Sequence, residues 1–128
     1  MNVYTKVKIL HIGPGAQYEG NVFDYWVAVE LTNGQVILLF DPHCISLQCK
    51  LNEEIEIIIS SCFPFHEIET QIPLFKITSL DEINGDFFLS NSFIKIKVYK
   101  TDINLDKFIK EDIFSFGRLD FGEVKSII

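Results

Sequence analysis

The sequence predicts a mainly β protein: a small barrel, or a strongly bent antiparallel sheet of five to seven strands, with one C-terminal helix at about residues 104–116. Three observations lead to this prediction. β-Branched and aromatic residues, including 12 Phe, carry much of the apolar mass of the chain. Short alternating runs recur every eight to twelve residues or so, with turn residues between them. Past Thr101 the apolar spacing changes from that of a strand to that of a helix.

Residues 23–40, FDYWVAVELTNGQVILLF, predict a β-hairpin around Asn33-Gly34. This dipeptide favours a two-residue type I′ turn, because both central residues of that turn need φ > 0. Such a turn pairs Leu31 with Val36 and fixes every pair beyond them. It predicts one wholly apolar face, with Val27, Val29, Leu31, Val36, Leu38 and Phe40, and one mixed face, with Trp26, Ala28, Glu30, Ile37, Leu39 and Asp41.

Alternating apolar residues predict the remaining strands. In the clearest of them Ile55, Ile57 and Ile59 face one way, which is typical of a strand with one buried side. Asp41-Pro42 ends the hairpin because proline has no N–H to donate, and Asn84-Gly85 offers a second tight turn. The predicted strands outside the hairpin are residues 3–12, 43–50, 54–61, 75–80 and 93–99.

The C-terminal helix is predicted from apolar residues at helical spacing. Asn104 can cap its N-terminus, and Gly117 can end it. We expect this helix to pack on the mixed hairpin face, where Trp26 and Leu39 need cover; if it packs elsewhere, Trp26 anchors an exposed binding patch. The apolar stripe consists of Leu105, Phe108, Ile109, Ile113 and Phe116.

The chain predicts a single domain, residues 1–128, because 128 residues with 48% hydrophobic content can bury one core. No apolar run approaches the roughly 18 residues that a membrane-spanning helix needs, so no membrane contact is predicted. Three cysteines are an odd number and fit no disulfide framework of a small secreted domain. A cytoplasmic location is therefore predicted. The sequence leaves the oligomeric state open.

Charge is unevenly distributed along the chain. The net charge is −7, and residues 9–80 hold nine acidic residues against Lys50 and Lys76. An acidic surface repels phosphate backbones and attracts basic partners, although acidic residues also serve solubility alone. The distribution therefore favours a basic protein partner over a nucleic acid.

Several residue groups resemble parts of chemical sites, and none is complete. Cys44, Cys49, Cys62 and His66 are zinc-ligand types, but a strand between Cys49 and Cys62 would hold them roughly 40 Å apart. Residues 15–20 have the glycine spacing of a phosphate loop without its Lys, and His66-Glu67 lacks the second His of a protease motif. The sequence thus predicts no metal, no cofactor, no catalytic residue and a non-enzymatic protein.

The functional prediction is a protein-binding module, in one form an immunity- or inhibitor-type protein that neutralises a basic partner through an acidic surface. The predicted partner-binding residues are Trp26, Glu30, Asp41, Glu54 and Glu56. One alternative is a nucleic-acid-binding barrel of the oligonucleotide-binding type, which would use Lys95, Lys97, Lys100 and Tyr99. A second alternative is a small enzyme whose site is assembled from residues distant in sequence.

Overall fold

The computed structural model describes residues 2–65, 75–99 and 113–125, with the backbone alone at 62–65 and 113–117. A short 3-10 helix, Ile45–Gln48, lies between the fifth and sixth strands. In chain order the strands are β1 (Thr5–Pro14), β2 (Gln17–Tyr18), β3 (Asn21–Val22), β4 (Tyr25–Leu31), β5 (Val36–Asp41), β6 (Glu54–Phe65), β7 (Phe75–Lys76), β8 (Ser79–Ile83), β9 (Asp86–Ser90), β10 (Lys95–Val98) and β11 (Ile113–Val124).

Five strands close a barrel, which confirms the predicted fold class. Around the barrel the order is β1, β4, β5, β11, β6 and back to β1. The pairs are antiparallel except β5 with β11, which is parallel. The first three barrel strands are therefore sequential neighbours, and the fifth lies between the third and the fourth. This is the Greek-key connectivity of oligonucleotide-binding-type barrels.

Three further strands extend the barrel beyond β6, while β7 pairs with β11, and β2 and β3 form a separate two-stranded ribbon. β10 pairs in parallel with β6, and β9 and β8 follow as an antiparallel meander that ends the sheet. Asn84 and Gly85 form the turn between β8 and β9, with φ of 53° and 86°. Both values are positive and Ile83 pairs with Asp86, so this is the two-residue turn that the sequence predicts there.

The core is one cluster of buried side chains from the barrel strands and from residues on or beside β7, β9 and β10, and it follows from strand alternation. Ile55, Ile57 and Ile59 are buried, as predicted, and so are Ile94, Ile96 and Val98 on and beside β10. Because alternate residues of a strand point to opposite faces, each barrel strand contributes every second side chain to this cluster. Its other members include Val7, Ile9, Val27, Val29, Leu31, Ile37, Leu39, Leu119 and Phe121.

The predicted register of the first hairpin is wrong by one residue. Glu30 pairs with Val36, and the Leu31 N–H bonds to the Gln35 carbonyl at 2.8 Å, so the loop has three residues, not two. Gly34 has a φ of 88°, whereas Asn33 is not among the residues with positive φ. This is the three-residue hairpin loop, in which a turn is followed by one left-handed residue that Gly adopts without strain.

The shifted register exchanges the two faces of β5. Ile37 and Leu39 point into the core beside Val29 and Val27, while Val36 and Leu38 point outward. A slip of one residue has this effect because side chains alternate with a period of two. The wholly apolar face that the sequence predicts is therefore split between the inside and the outside of the barrel.

The strand predicted at residues 43–50 is also wrong, because the 3-10 helix stands there. The Asp41 carboxylate accepts hydrogen bonds from the N–H groups of Ile45 at 3.1 Å and Ser46 at 2.7 Å. Satisfying these N-terminal donors favours a helical turn over an extended chain. Cys44, with a φ of 58°, redirects the backbone into it.

Of the helix predicted at residues 104–116, only the last four residues lie in the described part of the chain. Residues 104–112 lie outside the described part of the chain, and residues 113–116 are the start of β11. For these last four residues the helix prediction is wrong. Ser115 and Phe116 pair with Phe65 and Pro64 of β6, so pairing with a distant strand overrides the local spacing.

Candidate functional site

Three of the large apolar side chains that are exposed in the described part of the chain lie on the outward side of β4 and β5. Val36 is 52% exposed, Leu38 55% and Trp26 37%, although the adjacent residues Val27, Ile37 and Leu39 are buried. We call this surface the outer hairpin face. Its members are Trp26, Ala28, Glu30, Val36, Leu38 and Phe40.

An aromatic pair with a cation against it occupies one end of the outer hairpin face. Trp26 and Phe40 lie directly opposite each other, with ring centroids 5.0 Å apart and planes tilted by 53°. The guanidinium of Arg118 lies 4.6 Å from the centroid of the Phe40 ring. Arg118 donates from Nε and Nη2 to the Asp120 carboxylate at 2.7 and 3.1 Å. These contacts hold the Phe40 ring between an aromatic and a cation, which are favourable neighbours for its π system.

Exposed aromatic side chains also occur in the loop that leads into β4. Phe23 is 55% exposed, and Tyr18 on the β2–β3 ribbon is 67% exposed. The loop is held by the Asp24 carboxylate, which accepts from the Ala16 N–H at 2.6 Å, and by a bond from the Phe23 N–H to the Ala16 carbonyl at 2.9 Å. The chain that precedes β4 therefore carries further exposed apolar area.

Asp41, one of the predicted partner-binding residues, is fully buried with 0% exposure. Its carboxylate accepts from the two helix N–H groups described above and from the Ser46 hydroxyl. A buried carboxylate with three donors is satisfied within the fold. Asp41 thus stabilises the connection between β5 and the 3-10 helix and is not part of the protein surface.

The predicted acidic residues Glu54 and Glu56 lie on β6 and are separated from the outer hairpin face by β1. Lys6 approaches Glu54 at 3.6 Å and Lys125 approaches Glu56 at 3.3 Å. Glu30 does lie on the outer hairpin face, but its Cα partner on β1 is Lys8. The acidic residues here alternate with lysines across the sheet, so this part of the surface has little net charge.

Of the five predicted site residues, only Trp26 and Glu30 lie on the outer hairpin face, while Glu54 and Glu56 share the outward side of β6. The residues that join Trp26 and Glu30 are Val36, Leu38, Phe40 and Arg118. The sequence prediction put Val36 and Leu38 on the wholly apolar face with Val27 and Val29, because a two-residue turn pairs Leu31 with Val36. The three-residue alternative, Thr32-Asn33-Gly34, was the sequence signal that would have placed them outside.

The two described lysines of the predicted nucleic-acid-binding group, Lys95 and Lys97, contact oxygen atoms of the protein itself. Lys97 approaches the Asp86 carboxylate at 3.6 Å, and the Lys95 ammonium donates to the Asn2 carbonyl. Tyr99 is 49% exposed, and Lys100 lies outside the described residues. The two described lysines thus have acceptors at hand other than a phosphate.

The described cysteines flank the 3-10 helix. Cys44 and Cys49 are free thiols, half-buried; the side chains of Cys62 and His66 lie outside the described part. Burial raises the pKa of the Cys49 thiol, and the negative charges of Glu53 and Asp41 raise it further. Among the side chains described, no three His, Cys, Asp or Glu residues stand close enough to hold a metal ion.

Comparison with known proteins does not assign this chain to a group. No protein-family model, no curated protein and no solved structure matches it. In residues 2–65, 75–99 and 113–125, no helix has the length and apolar character needed to cross a membrane.

Proposed function

We propose that the protein is a non-enzymatic binding module and that its partner is another protein, which contacts the outer hairpin face. The observation that carries this proposal is the exposure of Val36 and Leu38, each more than half exposed beside Trp26 and Phe40. Exposed apolar side chains that adjoin one another on a regular strand surface are typical of interaction sites. Covering them with a partner recovers about 25 cal/mol for each Å² of apolar area buried.

The type of side chain favours a protein partner. Branched aliphatic side chains such as Val36 and Leu38 offer hydrophobic contact but no π face on which a base can stack. The charge of −7 also opposes a phosphate backbone and attracts a basic protein, which would accelerate association at low salt. An immunity- or inhibitor-type protein that neutralises a basic partner in the cytoplasm is one form of this function.

Affinity capture with a matched pair of leucine variants tests the proposal. Leu38 and Leu51 are both 55% exposed, but only Leu38 lies on the outer hairpin face. Tagged wild type, Leu38→Ser and Leu51→Ser are incubated with extract of the cells that encode the protein, and captured proteins are identified by mass spectrometry. We expect one basic protein to be retained by wild type and by Leu51→Ser. Its affinity for Leu38→Ser should fall about tenfold, which corresponds to about 1.4 kcal/mol.

Equal binding by the two leucine variants would contradict the assignment of the surface. Far-UV circular dichroism of both variants serves as the folding control, because each substitution is at an exposed position and leaves the core intact.

Single-stranded nucleic acid is a second candidate, favoured by one observation. Trp26 and Phe40 lie on the second and third barrel strands, beside Arg118, and barrels with this connectivity bind oligonucleotides on those strands. Fluorescence anisotropy with a labelled oligothymidine tests it. Binding that weakens steeply with salt and is lost in Trp26→Ala would support this candidate. Salt-independent or absent binding would remove it.

A further inference from the structure

We propose that the partner binds as an extended segment that adds a β-strand to the edge of β5, in the seam between β5 and β11. This inference rests on the proposed function and specifies how the partner would be held. Strand addition combines main-chain hydrogen bonds, which supply affinity, with alternate side-chain contacts, which supply specificity.

The seam is the least paired junction of the barrel in the described part of the chain. β4 pairs with β5 at six positions, from Tyr25–Asp41 to Glu30–Val36. β11 pairs with β5 at one position only, Phe40 with Asp120, while the same strand pairs with β6 from Ser115 to Val124. Before Phe40, the edge of β5 that faces β11 thus has no strand paired with it among the described residues.

The hydrogen-bonding groups of that edge point into the seam. The Leu31 N–H bonds to the Gln35 carbonyl, and backbone groups alternate in direction along a strand. Ile37 and Leu39 therefore direct their N–H and C=O groups toward β4. Val36 and Leu38 direct theirs toward β11, as Phe40 does where it meets Asp120.

The same two residues also present the exposed side chains of the outer hairpin face. A strand laid along the seam would meet the backbone of Val36 and Leu38 and cover apolar groups that are now 52% and 55% exposed. Val36 and Leu38 thus offer both backbone hydrogen-bonding groups and exposed apolar side chains on this edge. An extended polypeptide can use both, whereas a helix or a nucleic acid does not present N–H and C=O groups as a strand does.

The composition of β5 contrasts with that of the protected edge of the sheet. β8, the outermost strand beyond β9, carries Asp81 and Glu82, the charges by which edge strands usually avoid pairing with other chains. The edge of β5, Val36-Ile37-Leu38-Leu39-Phe40, carries neither charge nor proline. Because a strand points alternate side chains to opposite faces of the sheet, a complementary segment is apolar both beside Val36 and Leu38 and on the side that faces the core.

Amide hydrogen exchange of the free protein, followed by NMR, tests the open edge. Ile37 and Leu39 amides should be protected, and those of Val36 and Leu38 should exchange about 100-fold faster, because only the former bond to β4. Equal protection of all four amides would mean that the seam is already closed and would overturn the proposal.

A synthetic peptide of seven valine and threonine residues, with a lysine at each end for solubility, is the probe for strand addition. At millimolar concentration it should slow exchange at Val36 and Leu38, whereas the same peptide N-methylated on the residues that face β5 should not. Absence of protection by the parent peptide, or equal protection by the N-methylated form, would overturn the proposal. Protection of the same amides by raising protein concentration alone would assign the edge to a second copy and also overturn it.

Leu38→Pro and Leu38→Ala separate this inference from the proposed function. Both variants lose the leucine side chain, but only the proline lacks the N–H that faces the seam, and that N–H does not bond to β4. Captured partner should bind Leu38→Pro at least about tenfold more weakly than Leu38→Ala. Equal binding of the two variants, with partner still lost in Leu38→Ser, would overturn strand addition and leave the outer hairpin face as the interface.

Discussion

At the scale of single residues, Asp41 illustrates how a charged side chain in the sequence can serve the fold. The sequence placed it among surface acids, but it is fully buried and accepts from Ile45, Ser46 and the Ser46 hydroxyl. Nothing in the local alternation distinguishes an acidic residue that binds a partner from one that caps a helical turn. The Asp41-Pro42 pair was correctly interpreted as the end of a strand, whereas the turn that follows it was not predicted.

Removing the Asp41 carboxylate should therefore destabilise the fold. Asp41→Ala leaves two backbone N–H groups without their acceptor, and we expect a loss of about 2–4 kcal/mol in the free energy of unfolding. Glu53→Ala, at an exposed acid nearby, should change it by no more than about 0.5 kcal/mol. Urea denaturation of both variants measures the difference, and equal stability would refute the capping role.

Cys49 provides a test of residue-scale electrostatics. Burial, with Glu53 and Asp41, raises its pKa, and only the thiolate reacts with iodoacetamide. The midpoint of its alkylation rate against pH should lie higher in the folded protein than in urea. The folded state favours the protonated thiol, so this preference adds to the free energy of unfolding at neutral pH. That addition is lost as the pH rises above the pKa that the Cys49 thiol has in the unfolded chain. A midpoint unchanged by unfolding would contradict the assignment.

At the scale of elements, two Asn-Gly turns in one chain adopt different geometries. Asn84-Gly85 forms a two-residue turn with both φ positive, whereas in Thr32-Asn33-Gly34 the positive φ belongs to Gly34. The dipeptide predicts a hairpin in both cases. The dipeptide does not determine the length of the loop. In the first hairpin the length depends on which face of β5 is buried in the core, and that face carries Ile37 and Leu39.

Substitution of each asparagine by valine distinguishes these turns. A β-branched residue is strongly disfavoured at positive φ, so Asn84→Val should destabilise the protein by about 1–2 kcal/mol more than Asn33→Val. Thermal or urea unfolding of the pair measures this difference. Equal losses would mean that Asn33 also has a positive φ and that the predicted register was correct after all.

At the scale of the whole molecule, local patterns predicted strands and the fold class but not how distant strands meet. The alternation of Ile55, Ile57 and Ile59 was sufficient to identify β6 and its buried face. Its partner, β11, was predicted in part as a helix, because pairing between residues 50 to 67 positions apart leaves no local signal. The candidate site depends on both kinds of information: the exposed residues come from one hairpin, and Arg118 comes from β11.

The measurement that tests the central claim most directly is amide chemical-shift mapping of the isotope-labelled protein bound to its captured partner. We predict the largest changes at the Trp26 indole and at the amides from Val36 to Phe40, because these groups form the outer hairpin face and its edge. Changes confined to the lysine and glutamate rows of β1 and β6, around Lys6 and Glu54, would contradict the account.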